Sequence, residues 1–88
     1  MKLRGEFVVR QVMDSTMAIP VGKTALQLNG MILLNDVSKI IWECLEQETH
    51  LEAIVTAVTN AFEVSAEEAR TDILEFCDKL RQLQFLEE

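Results

Sequence analysis

Three times after residue 34, a capping residue is followed by apolar residues at helical spacing, and this pattern constrains the fold more than any other feature. Asn35 opens the first case. Val37, Ile40, Ile41, Cys44 and Leu45 follow at i, i+3, i+4, i+7 and i+8, the spacing of one buried helix face. Trp42 lies off that stripe. Thr49 with Glu52 makes a capping box ahead of Leu51, Ile54, Val55, Val58 and Phe62. Ser65 with Glu68 makes another, and Val64 is placed to staple onto Ala69. The third helix is the longest. Its main stripe is Ala69, Ile73, Phe76, Leu80 and Leu83, with Leu74 and Cys77 beside it; Phe85-Leu86 comes after the last turn, set to fold back on the core.

The first third of the chain has a different period. Glu6–Met13 alternates, with Phe7, Val9, Gln11 and Met13 on one face and Val8, Arg10 and Val12 on the other, as in a strand. Asp14-Ser15 supplies turn chemistry, and Thr16–Ile19 is a second strand that Pro20 ends because proline has no ladder N–H. Val21–Gly30, with turn residues Gly22 and Asn29-Gly30, reads as a loop. Met31–Leu34 is a third, wholly apolar strand. Strands this short need helices over one face. The order predicts one α+β domain over residues 1–88, winged helix-turn-helix-like, with three short antiparallel strands followed by three helices.

Length and charge narrow the function. A chain of 88 residues buries only about 60% of its unfolded surface, yet 49% apolar content is enough for a core. The longest apolar run, Met31–Leu34, is far short of a membrane span, and no apolar stretch follows the charged first residues as a signal peptide requires. With two cysteines and no disulfide framework, the chain is expected to be cytoplasmic. Residues 1–40 carry five Lys/Arg against three acids; residues 41–88 carry three against twelve. The third helix has Arg70, Lys79 and Arg81 against Glu67, Glu68, Asp72, Glu75 and Asp78, and the second has no cation. A DNA-reading helix needs the reverse balance.

No catalytic, metal or cofactor constellation emerges. Cys44 and Cys77 lie far apart in or beside apolar stripes, as packing thiols do, and His50, the one histidine, follows the expected cap Thr49. There is no Gly-rich phosphate loop. Glu67-Glu68 suits the helix dipole, and Glu87-Glu88 a solvated end. Two features carry two readings each. Trp42 either fills a second part of the core or flanks a partner's groove. Met31, Ile32, Leu33 and Leu34 form either a central buried strand or an edge strand whose apolar side chains await a partner.

The segment Asn29-Gly30-Met31-Ile32-Leu33-Leu34-Asn35-Asp36, followed by Ile40-Ile41-Trp42-Glu43-Cys44-Leu45, resembles the strand-to-helix signature of the pyrroloquinoline quinone biosynthesis protein D family. Leu51–Val58, Phe62-Glu63-Val64-Ser65, Asp72-Ile73-Leu74-Glu75-Phe76 and Leu80 are similar to its later motifs. Phe85-Leu86 stands where the family usually ends in Gly-Leu, so Phe85 is read as the departure.

The resemblance implies a non-catalytic adaptor, a recognition element for the leader segment of a ribosomally made precursor peptide. The leader adds as a strand to the third strand, in a cleft against the third helix, for delivery to a modifying enzyme such as a radical SAM protein or a peptidase. It implies no cofactor, and it does not make pyrroloquinoline quinone the product. The expected peptide contacts are Met31, Ile32, Leu33, Leu34, Arg70, Ile73, Leu74, Cys77 and Arg81. Leu74, Cys77 and whichever of Ile32 and Leu33 faces the helix are expected to matter most. Arg70, Lys79 and Arg81 are either selectors of an acidic leader residue or a solvated face. The alternatives are a winged-helix DNA-binding regulator and a dimerisation or interaction domain without a peptide ligand. Monomer and homodimer both fit an open strand edge.

Overall fold

Asn35 caps the first helix as its side chain predicts: its Oδ1 accepts from the Ser38 N–H at 2.8 Å, and Ser38 Oγ accepts from the Asn35 N–H at 2.7 Å. This reciprocal box starts α1, Asp36–Leu45; two more helices follow, α2 at Leu51–Ala61 and α3 at Ala66–Gln82. Ser65 caps α3 through its hydroxyl, which accepts from the Glu68 N–H. For α2 the expectation shifts by one residue. His50 is the N-cap, not a residue behind it, and its Nδ1 accepts from the Ala53 N–H at 3.3 Å. The computed structural model describes residues 1–28 and 30–88, so the turn expected at Asn29 lies outside the described residues.

Among the described residues five strands form two antiparallel sheets: β1 (Lys2–Leu3) pairs with β5 (Leu86–Glu87), while β2 (Phe7–Val12), β3 (Ser15–Pro20) and β4 (Ile32–Leu34) pair in that order. The architecture is α+β and winged helix-turn-helix-like. The sequence anticipates the larger sheet and misses the smaller. It also reads Gly22–Leu26 as loop, where the chain forms a 3-10 helix. Thr24, buried, ties that turn to the sheet through the Glu6 N–H, which donates to its Oγ1 at 2.8 Å. Gly5 is needed there. Its φ is +114°, and a Cβ would sit 3.0 Å from Thr24 Oγ1.

Register divides the three-stranded sheet into two faces. Ala18 pairs with Val9 and Ile32, and Thr16 with Gln11 and Leu34, so these share the face toward the helices. Met17 pairs with Arg10 and Leu33 on the other. Ala18, Ile32 and Leu34 are buried with Ile41, Leu45, Ile54, Val58, Ala69, Ile73, Cys77 and Leu80 in one core. Trp42 resolves to its core reading, 2% exposed, with its ring edge-on to Phe7 at 5.1 Å. Phe7 meets Phe85 in the same way. Edge-to-face pairs add to the area they bury.

The end of α3 explains how Phe85 reaches that core. The Phe85 N–H donates to the Leu80 carbonyl at 2.8 Å, and the Gln84 N–H to the Arg81 carbonyl at 3.0 Å. These are the two bonds of a Schellman motif, whose C′ residue sits in the left-handed region. That residue is Gln84, φ +64°. The departure from glycine is therefore felt at Gln84, and Phe85 is instead the buried apolar residue such a motif turns inward.

A candidate peptide groove between an open strand edge and the third helix

β4 pairs with β3 on one side, and among the described residues no strand pairs with its other side. Of the two expected readings, the strand takes the edge position, but only part of its apolar set is left open. Its alternation answers the question of its faces: Ile32 and Leu34 are buried, while Leu33 is 67% exposed and Met31 52%. Only two of the four apolar residues belong to the core.

Beside this edge lies a cleft of about 330 Å³. Leu33 and Asn35 bound it at the strand-to-helix junction, Val37, Ser38 and Ile41 on α1, and Asp72, Glu75, Phe76 and Lys79 on α3. Its apolar surface comes from Leu33, Val37, Ile41 and Phe76, with Phe76 and Val37 half-buried. The Asn35–Ser38 box fixes one rim. The bond that starts α1 therefore also shapes the cleft.

The wall on α3 is not the expected one. Cys77 and Ile73 are sealed in the core at 1% and 0% exposure. Burial pushes the Cys77 thiol above its ordinary range, as it does for Cys44, where Glu43 adds to the effect. Leu74 is half exposed yet does not line the cleft. Arg70 turns to α2, where its Nε and Nη2 donate to both Glu52 oxygens at 3.1 and 2.8 Å. That fork holds the Glu52 carboxyl below its usual range. Arg81 is engaged by Asp78 and by Glu88, with 2.7 Å between Nε and Oε2. The Glu88 carboxyl is lowered by the same contact. Of the three cations on this helix, Lys79 alone faces the cleft.

The sequence missed Asp72, Glu75 and Phe76 as lining residues. A signal existed. Ile73 and Leu74, like Phe76 and Cys77, offer two apolar residues per turn, and a single core face needs one. Which of each pair turns inward depends on the neighbouring helices.

Residues 20–86 match the family model described as Coenzyme PQQ synthesis protein D (PqqD), and the chain belongs to that family. Its fold is similar to that of a solved structure, TbiB1 in complex with the TbiA(beta) leader peptide. The TM-score is 0.73 at 23% identity, over 99% of this chain and 95% of that one. No curated protein matches the sequence. Among the described residues no helix is long and apolar enough to cross a membrane, and no group of His, Cys, Asp and Glu is placed to hold a metal ion.

Proposed function

We propose that this protein is a non-catalytic adaptor that binds the leader segment of a ribosomally made precursor peptide as a strand added to β4, and presents it to a modifying enzyme. The observation that carries this reading is the juxtaposition of an edge at β4, unpaired among the described residues, with a mixed cleft against α3 whose apolar side chains are Leu33, Val37, Ile41 and Phe76. Strand addition uses these two parts, an edge for main-chain hydrogen bonds and pockets for alternate side chains. Membership of the PqqD family and the leader-bound state of TbiB1 support it.

Magnitudes divide the work between the parts. Micromolar binding corresponds to about −8 kcal/mol. A few main-chain bonds at about 1 kcal/mol each do not reach that after the cost of association. Side chains filling the cleft floor of Leu33, Val37, Ile41 and Phe76 must supply most of it. Met31, Ile32, Leu33 and Leu34 then contribute through the backbone, and Leu33 through its side chain as well. Ile73 and Cys77 act from behind the wall, by holding α3 in place. The acids of α3 weigh against the DNA-binding alternative.

The test is an NMR titration of the labelled protein with the leader region of a short peptide encoded beside it. Saturable amide shifts along Met31–Leu34 and around Phe76 are the expected result. A correctly folded protein whose β4 amides stay fixed, while the peptide is handed over by another surface or not bound, overturns the reading. A concentration-dependent shift of the same amides without peptide assigns the edge to self-pairing.

A further inference from the structure

Binding in the cleft sets where a peptide lies; the charges around it set which peptide. The α3 wall places two carboxylates, Asp72 and Glu75, against an apolar floor, with one cation, Lys79, further along. The other cations of α3 are turned away, Arg70 to Glu52 and Arg81 to Asp78 and Glu88. Asp72 and Glu75 form no ion pair among the described residues. Asp72 also borders a second, shallower depression with Ser65, Glu67, Glu68 and Thr71, so the acidic character continues toward the start of α3.

We infer that the groove selects an extended peptide with a basic side chain next to the apolar residue that fills the floor, and discriminates against an acidic one there. This rests on the strand-addition reading above and is opposite in sign to the acidic-residue selection that was one of the two sequence readings of Arg70, Lys79 and Arg81. The physical reason is local. A Lys or Arg beside the floor gains two unpartnered carboxylates at the edge of a low-dielectric surface, whereas a Glu meets like charge. Lys79 sets the polarity of the groove: a carboxylate is tolerated only at its end. The pairs are partly exposed, so the preference is worth about three- to tenfold in affinity and fades as salt rises.

The experiment is display selection of a random twelve-residue peptide library on the whole protein, repeated on D72N/E75Q and on F76A. Lys and Arg enriched next to an apolar position in wild-type selections, with that bias lost in D72N/E75Q while binding persists, is the expected result. A selected peptide resynthesised with Lys changed to Glu should then bind about three- to tenfold more weakly at low salt. Binders that depend on Phe76 but carry no basic bias overturn the charge inference and leave strand addition standing. Selections that enrich no peptide, or only peptides indifferent to F76A, overturn both.

Discussion

Two rows of residues run side by side along α3, and they have opposite fates. Ala69, Ile73, Cys77 and Leu80 are at most 1% exposed, the inner row of the core. Asp72, Glu75, Phe76 and Lys79, displaced by about one residue, line the cleft. Both rows have the period of a helix face. They differ in what closes over them: α2, the sheet and Phe85 cover the first, and among the described residues no strand pairs beyond β4 to cover the second. An apolar residue at helical spacing thus shows which way a helix is amphipathic, while the side that stays open is set by where the sheet ends.

The comparison breaks if the two rows prove energetically alike. Ile73→Ala removes a fully buried side chain and is expected to cost about 2–5 kcal/mol in urea denaturation, enough to unfold much of the protein at ambient temperature. Phe76→Ala is expected to cost clearly less stability, because its ring is half-buried, and to weaken leader binding about tenfold or more. Equal losses of stability in the two variants would show that Phe76 is core rather than groove.

Gln84→Gly sharpens the contrast from the other side. A left-handed residue at C′ strains glutamine and suits glycine, so the change is expected to stabilise by about 0.5–1 kcal/mol. Peptide affinity should stay unchanged, since the gain belongs to the inner row that Phe85 closes. Met13→Gly, at φ +58° in the β2–β3 turn, is expected to act likewise and by a similar amount. A change in affinity with either would couple the two rows.

The smallest effect concerns the thiols. Cys77 is expected to react with a thiol reagent only on unfolding, and half-buried Cys44 first. Because burial raises the Cys77 thiol in the folded state, its contribution is whole below the ordinary thiol range and declines as pH rises above about 9. A urea midpoint whose alkaline decline is the same in Cys77→Ala would remove this term.

The three helices were legible in the sequence, because caps and periodicity are local. So were β2 and β3, from the alternation of Glu6–Met13. The turn falls at Met13-Asp14, one residue before the expected Asp14-Ser15, and Ser15 already pairs with Val12. For β4 the sequence left edge and centre both open. What escaped was set by partners distant along the chain. Two-residue strands such as β1 and β5 have no period of their own, and only their mutual pairing defines them. His50 and not Thr49 is the cap of α2, while the Thr49 N–H and carbonyl pair with Met1, a contact 48 residues away along the chain. At the candidate groove, the apolar floor was written in the sequence as Leu33, Val37, Ile41 and Phe76, but indistinguishably from core. For the charged rim the sequence left two readings open, and Arg70 and Arg81, paired with acids on α2, on α3 and near β5, take the solvated one.

The pairing of β1 with β5 has a further consequence. Lys2 lies opposite Glu87 and Leu3 opposite Leu86, at the strand spacing of about 4.8 Å. The polypeptide enters and leaves this fold through one narrow ribbon. Joining those ends with a short Gly/Ser linker and reopening the chain at Met13-Asp14 should give a permuted protein with the same circular dichroism spectrum. A larger enzyme with a surface loop of matching width is equally able to carry the whole unit as an insertion, its groove brought along ready-made.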